Sequence, residues 1–228
     1  MELERPLAGA RTIPLDVTLA LAGQGVREGA RVNRLALAAA RRAVEEARSL
    51  FVPRFVSATL PLGRTSENAV DLARAPLAGR HLARALDGAA YVIAVICTIG
   101  AAADDRVSAL LDADPLLALA LDGLGSAACD CLAEDIRAEI EQRAAREGNR
   151  VTGRLSPGMI DWPLREGQDE LFALVDPAPI GVVRTPSGQM IPRKSLSFLV
   201  GVGAAVRRQA PCAACGAGER CRFRMSHA

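Results

Sequence analysis

A chain of 228 residues, half of them apolar, can bury a large core and lacks the composition of a disordered segment. A net charge of +2 and few aromatics leave no electrostatic or base-stacking case for nucleic acid or an anionic membrane. The opening residues hold no charged-then-apolar leader and the longest apolar stretch, 89–103, is too short to span a bilayer, so a soluble cytoplasmic protein is expected.

Residues 1–30 read as irregular apart from a strand-like run at 13–21. The pattern over 31–50 predicts a helix with Leu35, Ala39, Val44 and Ala47 on its apolar face. A loop-rich section, 53–75, holds Pro61, Gly63 and a Thr65-Ser-Glu-Asn segment that reads as the cap of a further short helix; 81–86 is helical as well. The β-branched, continuously apolar run 91–99 predicts a strand buried on both faces. The strongest helix begins at Asp114, an N-cap residue followed by Pro115, and stops at Gly148-Asn149. It spans roughly 50 Å, with Leu117, Leu121, Leu124, Ala128, Leu132, Ile136 and Ile140 as its core stripe. A short helix over 168–175 and strands near 180–184 and 194–202 complete a main domain, 1–210, followed by a cysteine-rich tail, 211–228. Without regular βαβ alternation the fold class is α+β: a twisted, mainly antiparallel sheet with one long helix and several shorter ones.

Some familiar chemistries are poorly supported. Gly23-Gln-Gly25, Gly123-Leu-Gly125 and Gly201-Val-Gly203 each depart from the dinucleotide fingerprint in spacing or context, and turns and close packing explain them better. With His81 and His227 as the only histidines and no Gly-x-Ser-x-Gly elbow, a hydrolytic triad is not expected. On the long helix Asp122, Ser126 and Asp130 recur at four-residue intervals, either as a solvated face or as a surface that something approaches. Gly123 and Gly125 beside them each cost about 1 kcal/mol relative to alanine, which points to close approach by another backbone or by a ligand.

Six cysteines in a reducing compartment are core thiols or metal ligands rather than disulfides. Cys97, Cys129 and Cys131 lie in apolar elements and read as buried thiols. Cys212, Cys215 and Cys221 form a C-x2-C-x5-C set whose thiolates can converge on one metal: zinc if His227 is the fourth ligand, an iron–sulfur cluster with an exogenous one.

Two segments are narrower in meaning. The first runs Arg154-Leu-Ser-Pro-Gly-Met-Ile-Asp-Trp-Pro163, an arginine followed by a Pro-Gly turn. A guanidinium binds a carboxylate bidentately, and such a turn presents backbone groups with no side chain in the way. The second, 180–197, is a short strand, a hydroxyl-rich loop and a second strand. Together with Cys97-Thr-Ile-Gly100 and the helix 119–137, they make residues 91–206 resemble the activation domain of cobalamin-dependent methionine synthase, in its stand-alone form.

The resemblance implies that Arg154, Ser156, Pro157, Gly158 and Met159 hold S-adenosylmethionine, with Asp122 on the family's helix aspartate. Met159 stands where the family usually has tyrosine, and Asp161-Trp-Pro163 matches the family's early Asp-Trp-x-Pro element in composition only. The implied activity is reductive reactivation, a methyltransferase component that presents the sulfonium methyl to cob(I)alamin and needs no catalytic base. Cobalamin comes with the partner, a corrinoid protein or a methionine synthase lacking its own activation domain, and the electron from a donor such as flavodoxin or ferredoxin. The competing reading is a non-catalytic metal-binding adaptor that docks corrinoid or redox proteins. In a further version, an iron–sulfur cluster in the tail supplies the electron itself.

Overall fold

The computed structural model describes residues 8–27, 29–72 and 76–207. In chain order its elements are β1 (Ala8–Ala10), α1 (Val17–Gly23), α2 (Arg34–Leu50), β2 (Arg54–Thr65), β3 (Ala69–Leu72), β4 (Pro76–Ala78), α3 (Arg80–Ala85) and β5 (Tyr91–Thr98). They continue with α4 (Ala102–Leu110), α5 (Pro115–Arg146), β6 (Arg150–Val151), α6 (Leu164–Leu174), β7 (Val183–Arg184), β8 (Met190–Ile191) and β9 (Ser195–Gly203). The main sheet runs β4-β3-β2-β5-β9-β6, with β1 also on β2, and its paired strands are antiparallel. The expected α+β class is observed.

β5 lies between β2 and β9, so both of its faces must be covered, and its residues divide by parity. Val95 and Cys97 face a core built with α1, α2, α4 and α5, together with Phe198, Val200 and Val202 of β9. Val92, Ala94 and Ile96 face a second core that contains Leu77, Leu82, Leu86, Trp162, Leu171 and Leu174. The sheet is therefore a shared wall between two apolar layers.

α5 starts and stops where its sequence says. Asp114 caps it by accepting from Leu117 N–H at 3.2 Å, and the chain leaves it through Gly148 in the left-handed region. Every residue of the expected stripe is buried. The N-terminal half is enclosed on more sides than one stripe implies, because Ala118, Ala120, Ala127 and Cys129 are buried too. By length and composition α5 could cross a bilayer, but 67% of its apolar window is buried inside the protein, so the helix is serving as a core.

Several local expectations are corrected. The strand-like run at 13–21 is mostly helix: Asp16 accepts from Leu19 N–H at 2.7 Å and starts α1, and burial against α5 overrides the β-leaning pattern. In α2 the buried set is Ala39, Ala40, Ala43, Val44 and Ala47, while Leu35 is 64% exposed. The section read as loop contains the twelve-residue strand β2. Pro61 is tolerated there because it pairs only with Tyr91 of β5, β1 reaching no further than Val56 and β3 starting at Leu62. The Thr65-Ser-Glu-Asn segment starts no helix; it turns β2 into β3, with Ser66 Oγ accepting from Ala69 N–H at 3.1 Å.

The two glycines inside α5 have separate causes. A Cβ on Gly23 of α1 would lie 2.0 Å from the Gly123 carbonyl oxygen, so α1 and α5 touch backbone to backbone. At Gly125 the neighbours of an added Cβ are Ile99 and the aliphatic stem of Lys194, each 3.4 Å away. Gly23→Ala forces the two helices apart and is expected to cost about 3 kcal/mol, the upper end for overpacking. Urea denaturation compared with the wild type measures it.

Candidate functional site

Val151 pairs with Val202, and Leu155 bridges Leu199 with N–H···O distances of 3.0 and 2.8 Å in the two directions, so residues 150–155 run along the edge of β9. Leu155 enters the core on the α6 side. Its neighbour Arg154 must then point to the opposite face, the one covered by α5. There Arg154 Nη2 donates to Asp130 Oδ1 at 2.7 Å, and its Nε lies 3.6 Å from Glu134 Oε2. The arginine is only 18% exposed, and these contacts occupy part of a five-donor fork.

A second cation arrives from the other end of β9. Lys194, the one lysine in the chain, passes over Gly125 and donates to Asp122 Oδ1 at 2.7 Å and to Ser126 Oγ at 3.0 Å. Its side chain is 13% exposed and that of Asp122 41%. The row Asp122, Ser126, Asp130, Glu134 is thus neither a plain solvated face nor an open ligand wall. It is a polar seam about 12 Å long from Asp122 to Asp130, stitched to the sheet edge by Lys194 and Arg154. Asp122 and Arg154 lie on the same seam, each with its own partner.

After Arg154 the chain makes a tight turn. Gly158 takes φ +90°, its N–H donates to Trp162 O at 2.8 Å, and Met159 N–H donates to Ser156 O at 3.2 Å. Ser156 N–H is directed at Met159 Sδ, 3.1 Å away. The N–H groups of Ser156, Gly158 and Met159 are spent inside the turn, and so are the Ser156 and Met159 carbonyls and the Met159 sulfur, which accept from the N–H groups of Met159, Trp162 and Ser156 respectively. The turn is thus a closed, self-bonded stretch of backbone, while the Arg154 fork before it suits a carboxylate.

In the second quoted segment Thr185 Oγ1 lies 2.9 Å from Ser187 Oγ and accepts from Gln189 N–H at 3.1 Å, closing the β7–β8 hairpin. At the start of β9, Ser195 Oγ bonds Thr98 Oγ1 at 2.9 Å and Pro192 O at 2.7 Å. The hydroxyls of this segment therefore build the polar end of the sheet from which Lys194 departs.

Two thiols along α5 are shifted away from the reactive thiolate. Hydrogen bonding to Cys97 and then burial push the Cys129 thiol well up, and burial followed by the Asp130 charge raises that of Cys131. Among the described residues no group of three or more His, Cys, Asp or Glu side chains could hold a metal. Cys212, Cys215 and Cys221 lie outside the described residues. Two open cavities, one of about 510 Å³ beside Arg80, Arg84 and Arg207 and one of about 390 Å³ beside Arg11 and Phe51, contain none of the expected site residues. Asp130 belongs to the row the sequence singled out, whereas Glu134 and Lys194 were not expected, although Lys194 stands inside the 180–197 segment as the one lysine in the chain.

Lys194→Met keeps the stem over Gly125 and removes the ammonium. Because Asp122 is well exposed, the expected cost is about 1 kcal/mol or less. Lys194→Ala also loses the packing of the stem and should cost more. Guanidinium denaturation of both variants separates charge from packing.

No family model and no curated protein matches this sequence. Among solved structures the chain is similar to the crystal structure of the MetH reactivation domain bound to AdoHcy, with a TM-score of 0.61 and 14% sequence identity over 88% of this chain and 79% of that one. At that identity the likeness is one of fold, and it agrees with the resemblance read from Arg154–Pro163 and the long helix. The chain has the fold of the methionine synthase reactivation domain.

Proposed function

We propose that this protein binds S-adenosylmethionine at the Arg154 edge of the sheet and serves the reductive reactivation of a cobalamin-dependent methionine synthase or related corrinoid methyltransferase. The observation that carries the reading is the position of Arg154: on the outer edge of β9, held by Asp130, and followed at once by a tight Pro-Gly turn. The fold neighbour bound to AdoHcy supports it, since that ligand shares the amino-acid and adenosine parts of S-adenosylmethionine. In this reading the Arg154 guanidinium takes the ligand carboxylate, the Ser156–Met159 turn lines the site, and Asp122 lies further along the seam toward the cationic side of the ligand.

When the partner's corrinoid has accepted one electron from a donor such as flavodoxin or ferredoxin, the methyl group passes from sulfonium to cobalt and S-adenosylhomocysteine leaves. No proton is transferred, so the protein's part is to bind and orient. Residues 1–210 form the ligand-binding domain in this proposal, and 211–228 a metal-binding tail in a cytoplasmic protein.

Calorimetry with S-adenosylmethionine tests the site. The wild type should bind, and Arg154→Ala should weaken binding about 10- to 100-fold, the worth of hydrogen bonds to a charged group. A wild type that does not bind overturns the reading, and an unchanged affinity in the variant removes Arg154 from the site. For the tail, anaerobic purification followed by metal analysis and visible absorption separates an iron–sulfur cluster from colourless, stoichiometric zinc on Cys212, Cys215 and Cys221. A metal-free protein ends the metal proposal.

A further inference from the structure

The turn that follows Arg154 is held from outside as well as by its own hydrogen bonds. Its Gly158 N–H is tied to the carbonyl of Trp162, four residues on, and Trp162 is buried to 2% exposure against α6. The indole Nε1–H donates to Glu170 Oε2 at 2.6 Å. The carboxylate thus joins α6 to the tryptophan, and the nearby Ala78 backbone of β4 pulls the same carboxyl down. Two close approaches lock the arrangement. A Cβ on Gly167 would stand 2.9 Å from Pro157 Cβ and from the indole nitrogen, and one on Gly79 would stand 2.9 Å from the Asp161 carbonyl oxygen. Asp161 itself takes φ +61°, a left-handed conformation that a non-glycine residue keeps only when its surroundings impose it.

We infer that Glu170, acting through Trp162, is the positioning residue that sets the Ser156–Met159 turn against Arg154 and thereby the affinity for the ligand. The inference rests on the proposed S-adenosylmethionine site and adds to it a residue that touches no ligand. It also gives the Asp161-Trp162-Pro163 triplet a role: the tryptophan is an anchor beneath the turn. Burial raises the Glu170 carboxyl against the pull of the Trp162 indole and of the Ala78 backbone, and Glu166 and Asp169 on the same helix add to that rise. Asp169 is itself paired with Arg184 of β7. The protein thus keeps a partly desolvated acid at this spot, where an apolar residue would pack at less cost but would leave the indole N–H without an acceptor.

If the bound state needs the turn in this shape, loosening the anchor lowers the fraction of binding-competent molecules and weakens apparent affinity by the same factor. The chain has one tryptophan, so its fluorescence reports on the anchor directly. The experiment is calorimetric titration of S-adenosylmethionine into the full-length wild type and into Glu170→Ala, Glu170→Gln and Trp162→Phe. Thermal melts and tryptophan emission are recorded across the acidic range for those that keep the tryptophan.

Glu170→Ala and Trp162→Phe should bind about five- to tenfold more weakly, whereas Glu170→Gln, which keeps an acceptor for the indole, should bind within about twofold of the wild type. The emission of the wild type should change with pH as Glu170 is protonated, and that change should be absent in Glu170→Gln. A wild type that binds alongside Glu170→Ala and Trp162→Phe variants of equal affinity overturns this inference and leaves the proposed site standing. A wild type that does not bind overturns both. Loss of melting temperature without loss of affinity would show a structural strut and also overturn the positioning role.

Discussion

The burial of α5 is the constraint on which the other features depend. A helix of about 50 Å with an apolar stripe along its length cannot remain in water, and it is covered by β5 and β9 on one side and by α1, α2 and α4 on others. That contact decides which edge of the helix is left over. The residual edge carries Asp122, Ser126, Asp130 and Glu134, and it comes to rest along the border of the sheet where residues 150–155 and 194 arrive. The seam is thus a consequence of packing: acids that α5 cannot bury meet the cations that the sheet edge supplies.

The same sheet then separates two environments by residue parity. Leu155 goes to the α6 side and Arg154 to the α5 side, one residue apart. A shift of one residue in the pairing of 150–155 with β9 would bury the guanidinium among leucines, so the register is strongly specified by the cost of that burial. Beyond Arg154 the chain leaves the edge, and the turn is held by a cluster on the far side of the sheet: Trp162, Gly167, Glu170 and Gly79. The candidate site thus draws on both layers. One face contributes the charged groups and the other fixes the backbone between them.

The small residues follow from the same packing. Gly23 and Gly123 allow one helix backbone to lie on another, while Gly125 leaves room for the lysine stem. At Cys129 and Cys131 burial and neighbouring groups raise the thiols and outweigh the smaller opposing pull of Lys194 and Arg154.

The sequence by itself determined the elements whose signals are local and mutually consistent. These are α5, with its Asp114 cap, its Pro115 start and its Gly148 exit, the fully apolar β5, and the Arg154–Pro163 segment whose residue types announce a tight turn. It was unequal to places where a distant surface outweighs local preference. A β-leaning run became α1 because α5 covers it, Pro61 was admitted to β2 because nothing pairs on its other side, and Leu35 stayed in water because α2 buries its alanines instead. Tertiary structure alone decided that Lys194 closes on Asp122, that Arg154 is met by Asp130, and that Glu170 stands behind Trp162. Apart from the last, each of these pairings joins residues at least 24 apart along the chain, and even Trp162 and Glu170 meet only because α6 folds back over the turn. No periodicity or spacing encodes a meeting of that kind; only the register of β9 and the burial of α5 bring the partners into reach.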